Sequence, residues 1–446
     1  MRMSGMELKR VTSGHWLGAS ADEIRGISTD SRTLDAGEAF LALVGPNFDG
    51  HDYQAQAIAS GASALIGAKG HIAQWDSSAV PILEVNDTLE ALGAIASAWR
   101  SSFGANVLAI TGSYGKTTVR SLIEHVLSKL GWRVAVTKNN NNNLIGVPQT
   151  LLAASGEEDL VIVECGISES GEMARLASIT KPDIAVLTGL ALSHTEQLED
   201  ISGVACEKSR LLHAAGKWCA LGAGVANQLD VLGLMPDVPS FSMDSPDAVS
   251  WRLDNDLMHL TKGDAHAVCK LALPACHWAA NMALTADVVC RLDDSLSLTE
   301  IAGALDGWHP PSGRFHPMNG PNGSHIYDDA YNANPASMAA ALNTLRRLPG
   351  RRMAILGDML ELGAFSAQAH AELNLSEIDR LILVGPNMRQ LARNHHDAVL
   401  VTDANQALQL VSGWELGAGD HLLIKASRGM RLDIIVRALT EGSDAL

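Results

Sequence analysis

Positive charge is scarce in this chain: 33 lysines and arginines stand against 50 aspartates and glutamates, for a net charge of -17. That balance excludes general affinity for nucleic acid, which needs a basic footprint. Anionic nucleotides remain admissible ligands, because local loops and helix N-termini can supply the positive field. Long apolar runs are missing as well. No stretch approaches the ~20 residues that cross a bilayer, so no membrane insertion is expected. Met1 to Arg10 has no apolar core before a cleavage-like site, so no signal peptide is expected either. None of the six cysteines (Cys165, Cys206, Cys219, Cys269, Cys276, Cys290) falls in a C-x-x-C pair or a zinc spacing. They read as buried or incidental thiols of a reducing compartment, and the expected location is cytoplasmic. Apart from the asparagines at 139–143, no repeat or low-complexity tract stands out.

What is present describes a packed globular protein: 446 residues, 47% hydrophobic and 19% charged. At roughly 150 residues per domain, about three domains are expected. The first, 1–85, alternates short apolar strands with turns, as in Ala39–Val44 and Ala64–Ile66. Asp87-Thr88-Leu89-Glu90 reads as a capping-box start of a helix that leads into the second domain, 86–312. There strands at Val107–Ile110, Arg133–Val136, Leu160–Val163 and Ile184–Leu187 alternate with helices at 119–130, Val204–His213 and Trp278–Leu292. That order predicts a parallel sheet covered by helices. Trp308-His309-Pro310-Pro311-Ser312-Gly313 reads as a linker. The third domain, 313–446, repeats the alternation with strands at Met353–Leu356, Leu381–Val384, Ala398–Val401 and His421–Ile424. Its helices start near Pro335, Asp403 and Met430, a Rossmann-like pattern.

The stretch Thr111-Gly112-Ser113-Tyr114-Gly115-Lys116-Thr117-Thr118 follows an apolar strand and opens a helix. In that arrangement backbone N–H groups of Gly112, Ser113 and Gly115 cradle phosphates, Lys116 reaches the outer phosphates and the Thr117 hydroxyl can ligate Mg²⁺. Ile110 stands where the longer form of the motif has glycine, so ATP binding is expected through the shorter form. Glu164 ends the run Val161-Ile162-Val163, on the ligand side of a parallel sheet, where a metal-ligating acid belongs. His194 follows another strand end, and Lys208 sits on the next helix. Taken alone, each of these three is equally a solvated surface group.

In combination these motifs resemble the Mur ligases, the ATP-dependent amide ligases of peptidoglycan synthesis. Within that family they resemble the members that add D-alanyl-D-alanine. Ser28-Thr29-Asp30-Ser31-Arg32, Phe40-Leu41-Ala42-Leu43 and Phe48-Asp49-Gly50-His51-Asp52 look like the family's UDP-binding N-terminal domain. Asn142-Asn143 with Gly146-Val147-Pro148, and Glu164 with Gly171-Glu172, match the central domain. Asp328-Asp329-Ala330-Tyr331-Asn332-Ala333-Asn334-Pro335 is the most specific element. Gly357-Asp358-Met359-Leu360-Glu361-Leu362-Gly363 and Lys425-Ala426-Ser427-Arg428 complete the match. The Asp-Asn-Pro-Arg motif expected of members that add meso-diaminopimelate or lysine is missing.

The resemblance implies an α/β architecture of three domains: UDP-binding, central phosphate-loop ATPase and Rossmann-like. It implies that D-alanyl-D-alanine is joined to UDP-N-acetylmuramoyl-tripeptide through an acyl phosphate, by a monomer. Lys116, Thr117 and Thr118 would meet the ATP phosphates, Asn281 the adenine, and Arg314 and Asp329 would close over ATP. Thr117, Glu164, His194 and a carbamylated Lys208 would hold Mg²⁺. Ser31, Asp49, His51, Asn142, Asn143, Tyr331, Asn332 and Asn334 would serve the substrates. Several positions depart from the family pattern: Leu144, Gly189, Ala191, Ser193, Ser209, Arg210, Trp278 and Ala426. A related ligase with a different acceptor, a folylpolyglutamate or cyanophycin type enzyme, and a scaffold without turnover are the rival readings.

Overall fold

The computed structural model describes residues 1–395 and 397–440. At its centre is a six-stranded sheet in the order Val134–Val136, Leu160–Glu164, Asn106–Thr111, Ile184–Leu187, Trp218–Leu221, Ser240–Ser242, with every pair parallel. Its inner strands are apolar runs because both faces are covered. Along them the side chains divide with period two. Leu108, Ile110, Ile162 and Val186 pack with Val119, Ile123 and Val126 of the helix Lys116–Lys129. Val107, Ala109, Val161, Val163 and Leu187 pack with the helices Thr88–Arg100, Gly146–Ala153 and Ile201–His213 on the other side.

The N-terminal residues form a five-stranded sheet in the order His15–Leu17, Ile82–Val85, Ala64–Ala68, Ala39–Leu41, Ile27–Ser28, antiparallel only at its first pair. The helix Thr88–Arg100 that follows is shared, because Leu92, Ile95 and Ala96 lie in one buried cluster with residues of both sheets. Its start differs from the expected capping box. The Asp87 carboxylate accepts from the Glu90 N–H at 2.9 Å, but the Glu90 carboxylate turns outward to Arg175 at 2.5 Å. An ion pair to a neighbouring helix has replaced the reciprocal bond.

The C-terminal sheet runs in the order His316–Asn319, His325–Asp329, Asp420–Lys425, Arg351–Gly357, Arg380–Val384, Ala398–Val401, parallel except at its first pair. Its last helix begins at Asp433, three residues past the expected Met430. Arg428–Met430 forms a 3-10 turn and Arg431 takes a left-handed φ of 55°. Between the central and C-terminal sheets lies an element that the alternation of strand and helix did not foretell. It is an antiparallel sheet of Ser250–Asp254, Leu257–Lys262 and Ala265–Lys270. Its turns hold Asn255 at φ 53° and Gly263 at φ 55°, residues that tolerate the left-handed region.

Trp278, on the helix Cys276–Leu292, is fully buried. Its ring meets Trp308 and Phe315 edge to face with centroids 5.8 and 6.1 Å apart, and Phe315 stacks on Tyr327 of the C-terminal sheet at 5.0 Å. The linker is therefore pinned on both sides by aromatic packing. Trp278→Ala is expected to cost about 3–5 kcal/mol through the cavity it leaves, read as a lowered urea midpoint. A midpoint within error of the parent would contradict this placement.

Candidate active site

A cavity of about 850 Å³ lies where the phosphate loop, the end of the strand Leu160–Glu164 and the ends of the strands His325–Asp329 and Asp420–Lys425 meet. Among the residues lining it are Ser113, Gly115, Lys116, Thr117, Thr118, Asn142, Asn143, Glu164, His194, Asn281, Arg314, Asp329, Tyr331, Asn332 and Asn334. Residues spread over more than 220 positions of the chain thus converge on one space. Gly112 explains part of the loop's shape. A Cβ there would fall 2.2 Å from Thr188 Oγ1 at a φ of 153°. Gly115, at φ 81°, caps the following helix with its backbone and abuts Asn281. The exposed N–H groups of that helix start face anions favourably.

Glu164 is the floor of the cavity. Its Oε1 accepts from the Thr117 hydroxyl at 3.1 Å and the Asn142 amide at 2.9 Å, and its own N–H donates to Thr137 Oγ1 at 2.9 Å. Its Oε2 is buried with no hydrogen-bond partner, 3.5 Å from the Arg120 Nε, which is equally unpartnered. Arg314 reaches the same point, donating to Thr117 Oγ1 at 3.3 Å while its guanidinium lies 4.0 Å from the Tyr331 ring centroid. A buried carboxylate oxygen with a free lone pair beside a threonine hydroxyl is the hard oxygen donor set that Mg²⁺ requires. The glycine-shaped loop above it suits a polyphosphate.

Three cations line the cavity, Lys116, Arg314 and Lys425; Lys208, expected at the site, is buried and is not among the lining residues. Burial lowers the pKa of Lys116, whose Nζ donates to the Gly112 carbonyl at 2.6 Å, and likewise that of Arg314. Lys208 is buried on the helix Ile201–His213 with no hydrogen bond or ion pair among the described residues. Burial, and secondarily the charge of Lys116, puts its pKa well below the ordinary lysine value. Asp329 pairs with Lys425 at 2.8 Å and accepts from the Phe315 N–H at 3.1 Å. Burial raises the carboxyl and lowers the ammonium, each opposed by the other's charge.

Other expected residues turn out to build the walls. Asn143 caps the helix Gly146–Ala153 by accepting from the N–H groups of Ile145 and Gly146 at 3.1 and 3.0 Å. Asn334 caps the helix Pro335–Arg346 with its oxygen, and its Nδ2 donates to the Ser113 carbonyl at 3.0 Å, which ties the C-terminal sheet to the phosphate loop. The Asn332 carbonyl accepts from Lys425. Ser31, Asp49 and His51 are not brought to this cavity. Ser31 donates to Gln56 Oε1 at 3.0 Å. His51 is buried, with Nδ1 2.5 Å from Asp49 and Nε2 accepting from the Ala68 N–H at 2.9 Å, so both its nitrogens are committed to the N-terminal sheet. Gln149 joins this region to the central sheet by donating to Thr29 Oγ1 at 2.8 Å.

Sequence reasoning left Arg120, Thr137, Lys425 and Glu361 without roles. Lys425 carried the clearest signal, because it ends a parallel strand as Glu164 does. Glu361 meets His194 across the boundary of the central and C-terminal sheets, with Oε2 2.6 Å from Nδ1. That contact holds the Glu361 carboxyl below its usual range.

A central parallel ATPase-type sheet whose phosphate loop is completed by a second α/β sheet defines a class, and the family comparisons agree with it. The Mur ligase middle domain matches residues 110–289, the glutamate ligase domain 313–428 and the Mur ligase catalytic domain 23–100. The chain belongs to the Mur ligase family. Among its relatives, the UDP-N-acetylmuramoyl-tripeptide–D-alanyl-D-alanine ligase of Escherichia coli K12 is 31% identical, with 98% of each chain covered. The enzyme of the same name from Synechocystis is 33% identical over 93% of this chain and 92% of its own. The MurF crystal structure from Acinetobacter baumannii superposes with a TM-score of 0.85 at 25% identity, covering 99% of each chain. The Thermotoga maritima MurF structure in complex with ADP, 24% identical, shares the fold with a TM-score of 0.80 over 93% of this chain and 96% of that one.

Proposed function

We propose that this chain is an ATP-dependent amide ligase, located in the cytoplasm, that joins D-alanyl-D-alanine to UDP-N-acetylmuramoyl-tripeptide. The observation that carries the reading is the convergence of the phosphate loop, Glu164, Arg314 and Asp329 on one cavity. A carboxylate is a poor electrophile. Its conversion to an acyl phosphate makes the carbonyl open to attack by an amine, which forms the C–N bond and releases phosphate. Bound Mg²⁺ would supply charge neutralisation for the phosphoryl transfer and would be held by Thr117, Glu164, His194 and a modified Lys208. Lys116 and Arg314 keep a positive field over the phosphate path, and Asn281 stands where a base would meet it. Tyr331, Asn332 and Asn334 bring the C-terminal wall against the acceptor. Ser31, Asp49 and His51 belong to the N-terminal sheet, where the UDP group is proposed to dock.

The direct test is ADP release by the purified chain, offered the UDP-tripeptide and D-alanyl-D-alanine separately and together. Release that requires both is expected. Nucleotide binding without turnover would leave the scaffold reading, and turnover with another acceptor alone would leave a ligase of different specificity.

Lys208 is proposed to act as its carbamate. Burial of an amine with no partner favours the neutral form, and it is that form that attacks CO₂, giving an N–C bond and losing a proton. The product is a carboxylate, an oxygen ligand suited to Mg²⁺. The unusual neighbours do not obstruct this: Arg210 is drawn to Glu207 at 3.1 Å and the Ser209 hydroxyl donates to the Cys206 carbonyl. Lys208→Ala is expected to be nearly inactive and to regain turnover with added short carboxylic acids. Normal turnover without them would contradict the carbamate.

A further inference from the structure

The segment Gly357-Asp358-Met359-Leu360-Glu361-Leu362-Gly363 lies outside the cavity lining, yet it supplies the partner of a cavity side chain. The segment leaves the strand Arg351–Gly357 and is pinned at several points. Asp358 accepts from the N–H groups of Asn387 and Met388, the Met359 N–H donates to His370 Nε2 at 2.9 Å, and the Leu360 N–H donates to Ser427 Oγ at 2.9 Å. At its tip Glu361 takes a φ of 64°, and opposite it His194 takes a φ of 54°. Side-chain-bearing residues occupy the left-handed region only where their surroundings hold them there. The His194 carbonyl accepts from the N–H groups of Gln197 and Leu198 in its own helix start, and two further hydrogen bonds join the two loops. The Glu196 N–H donates to the Glu361 carbonyl at 3.2 Å, and the Thr195 hydroxyl donates to the Leu362 carbonyl at 3.0 Å.

This seam delivers the Glu361 carboxylate to within 2.6 Å of His194 Nδ1, a buried nitrogen with no other polar partner among the described residues. The other ring nitrogen, Nε2, has no protein partner among the described residues, and the side chain lines the cavity. An imidazole's working nitrogen is decided by what the other nitrogen meets. A carboxylate can only accept, so it calls for the proton on Nδ1 and leaves the lone pair on Nε2. We infer that Glu361 is a positioning residue: from the C-terminal sheet it fixes the tautomer and orientation of His194, so the cavity's histidine is set only when that sheet is docked. The inference rests on the ligase reading for the reaction that His194 serves, but not for the tautomer.

The test has two arms on the full-length chain. In the first, ¹⁵N-histidine NMR, with His194→Gln used to assign the resonance, reads the tautomer without nucleotide or metal. The Nδ1–H form is expected in the parent and in Glu361→Gln, whose amide oxygen still accepts, and its loss is expected in Glu361→Ala. In the second, kcat is expected to fall roughly 10- to 100-fold in Glu361→Ala, the range known for partners of ligand histidines. Glu361→Gln should recover most of that loss, and KM for the UDP substrate should stay put in both variants. An unchanged tautomer in Glu361→Ala, or an equal loss in the alanine and glutamine variants, would overturn the inference. A parent chain without ligase turnover would remove the proposed function while leaving the NMR arm to decide the positioning role.

Discussion

Everything at the catalytic end of this molecule depends on one carboxylate kept in a place where carboxylates are expensive. Glu164 is buried at the end of an otherwise apolar strand, with one oxygen bonded to Thr117 and Asn142 and the other left without a hydrogen bond. Its charge is tolerable because Arg120, Arg314 and Lys116 bring positive charge to the same floor. Removing one member of such a buried set exposes the others to the full desolvation penalty. The sheet therefore cannot be read apart from its site. The parallel strand order sets Glu164 beside Ile110, next to the start of the phosphate loop.

Several of the positions read from the sequence as departures from the family motifs are accommodated by their own neighbours. Gly189 leaves room for Tyr114: a Cβ at 189 would fall 2.3 Å from the tyrosine Cζ, so the ring would have to shift. Ser193 bonds to the Ser113 hydroxyl at 3.0 Å, and Ser113 in turn donates to the Ala191 carbonyl, so the loop before Lys116 is laced by hydroxyls. Leu144 is buried in the cluster beneath the helix Gly146–Ala153, where it contributes packing. Ala426 packs close to Gly357, whose lack of a side chain makes room for it.

Much of this architecture was legible in the sequence, for physical reasons. Apolar runs such as Val107–Ile110 and Leu160–Val163 are long enough and bounded sharply enough to mark buried parallel strands, and the Gly-x-x-Gly-Lys-Thr-Thr spacing fixes a loop between strand and helix. The antiparallel sheet at 250–270 was harder to see. Its alternation is built from mixed residues such as Trp251, Leu253, Met258 and Cys269, with lysines and histidines between them. Partners were harder still. Nothing local tells Glu361 that it will face His194, because that pairing is made by the docking of two sheets, or Lys425 that it will face Asp329, because that pairing is made by the parallel register of two strands nearly a hundred residues apart in sequence.

That docking is the central claim. Asn334 on the Ser113 carbonyl, Arg314 on Thr117 and Glu361 on His194 are three contacts between the phosphate-loop side and residues beyond the linker. Together they make the cavity a joint product of two sheets. The most direct measurement is hydrogen–deuterium exchange with a non-hydrolysable ATP analogue and Mg²⁺. The account predicts that residues 112–117 gain protection together with 329–337 and 361–363. Protection confined to 112–117, with the C-terminal segments exchanging as before, would contradict it.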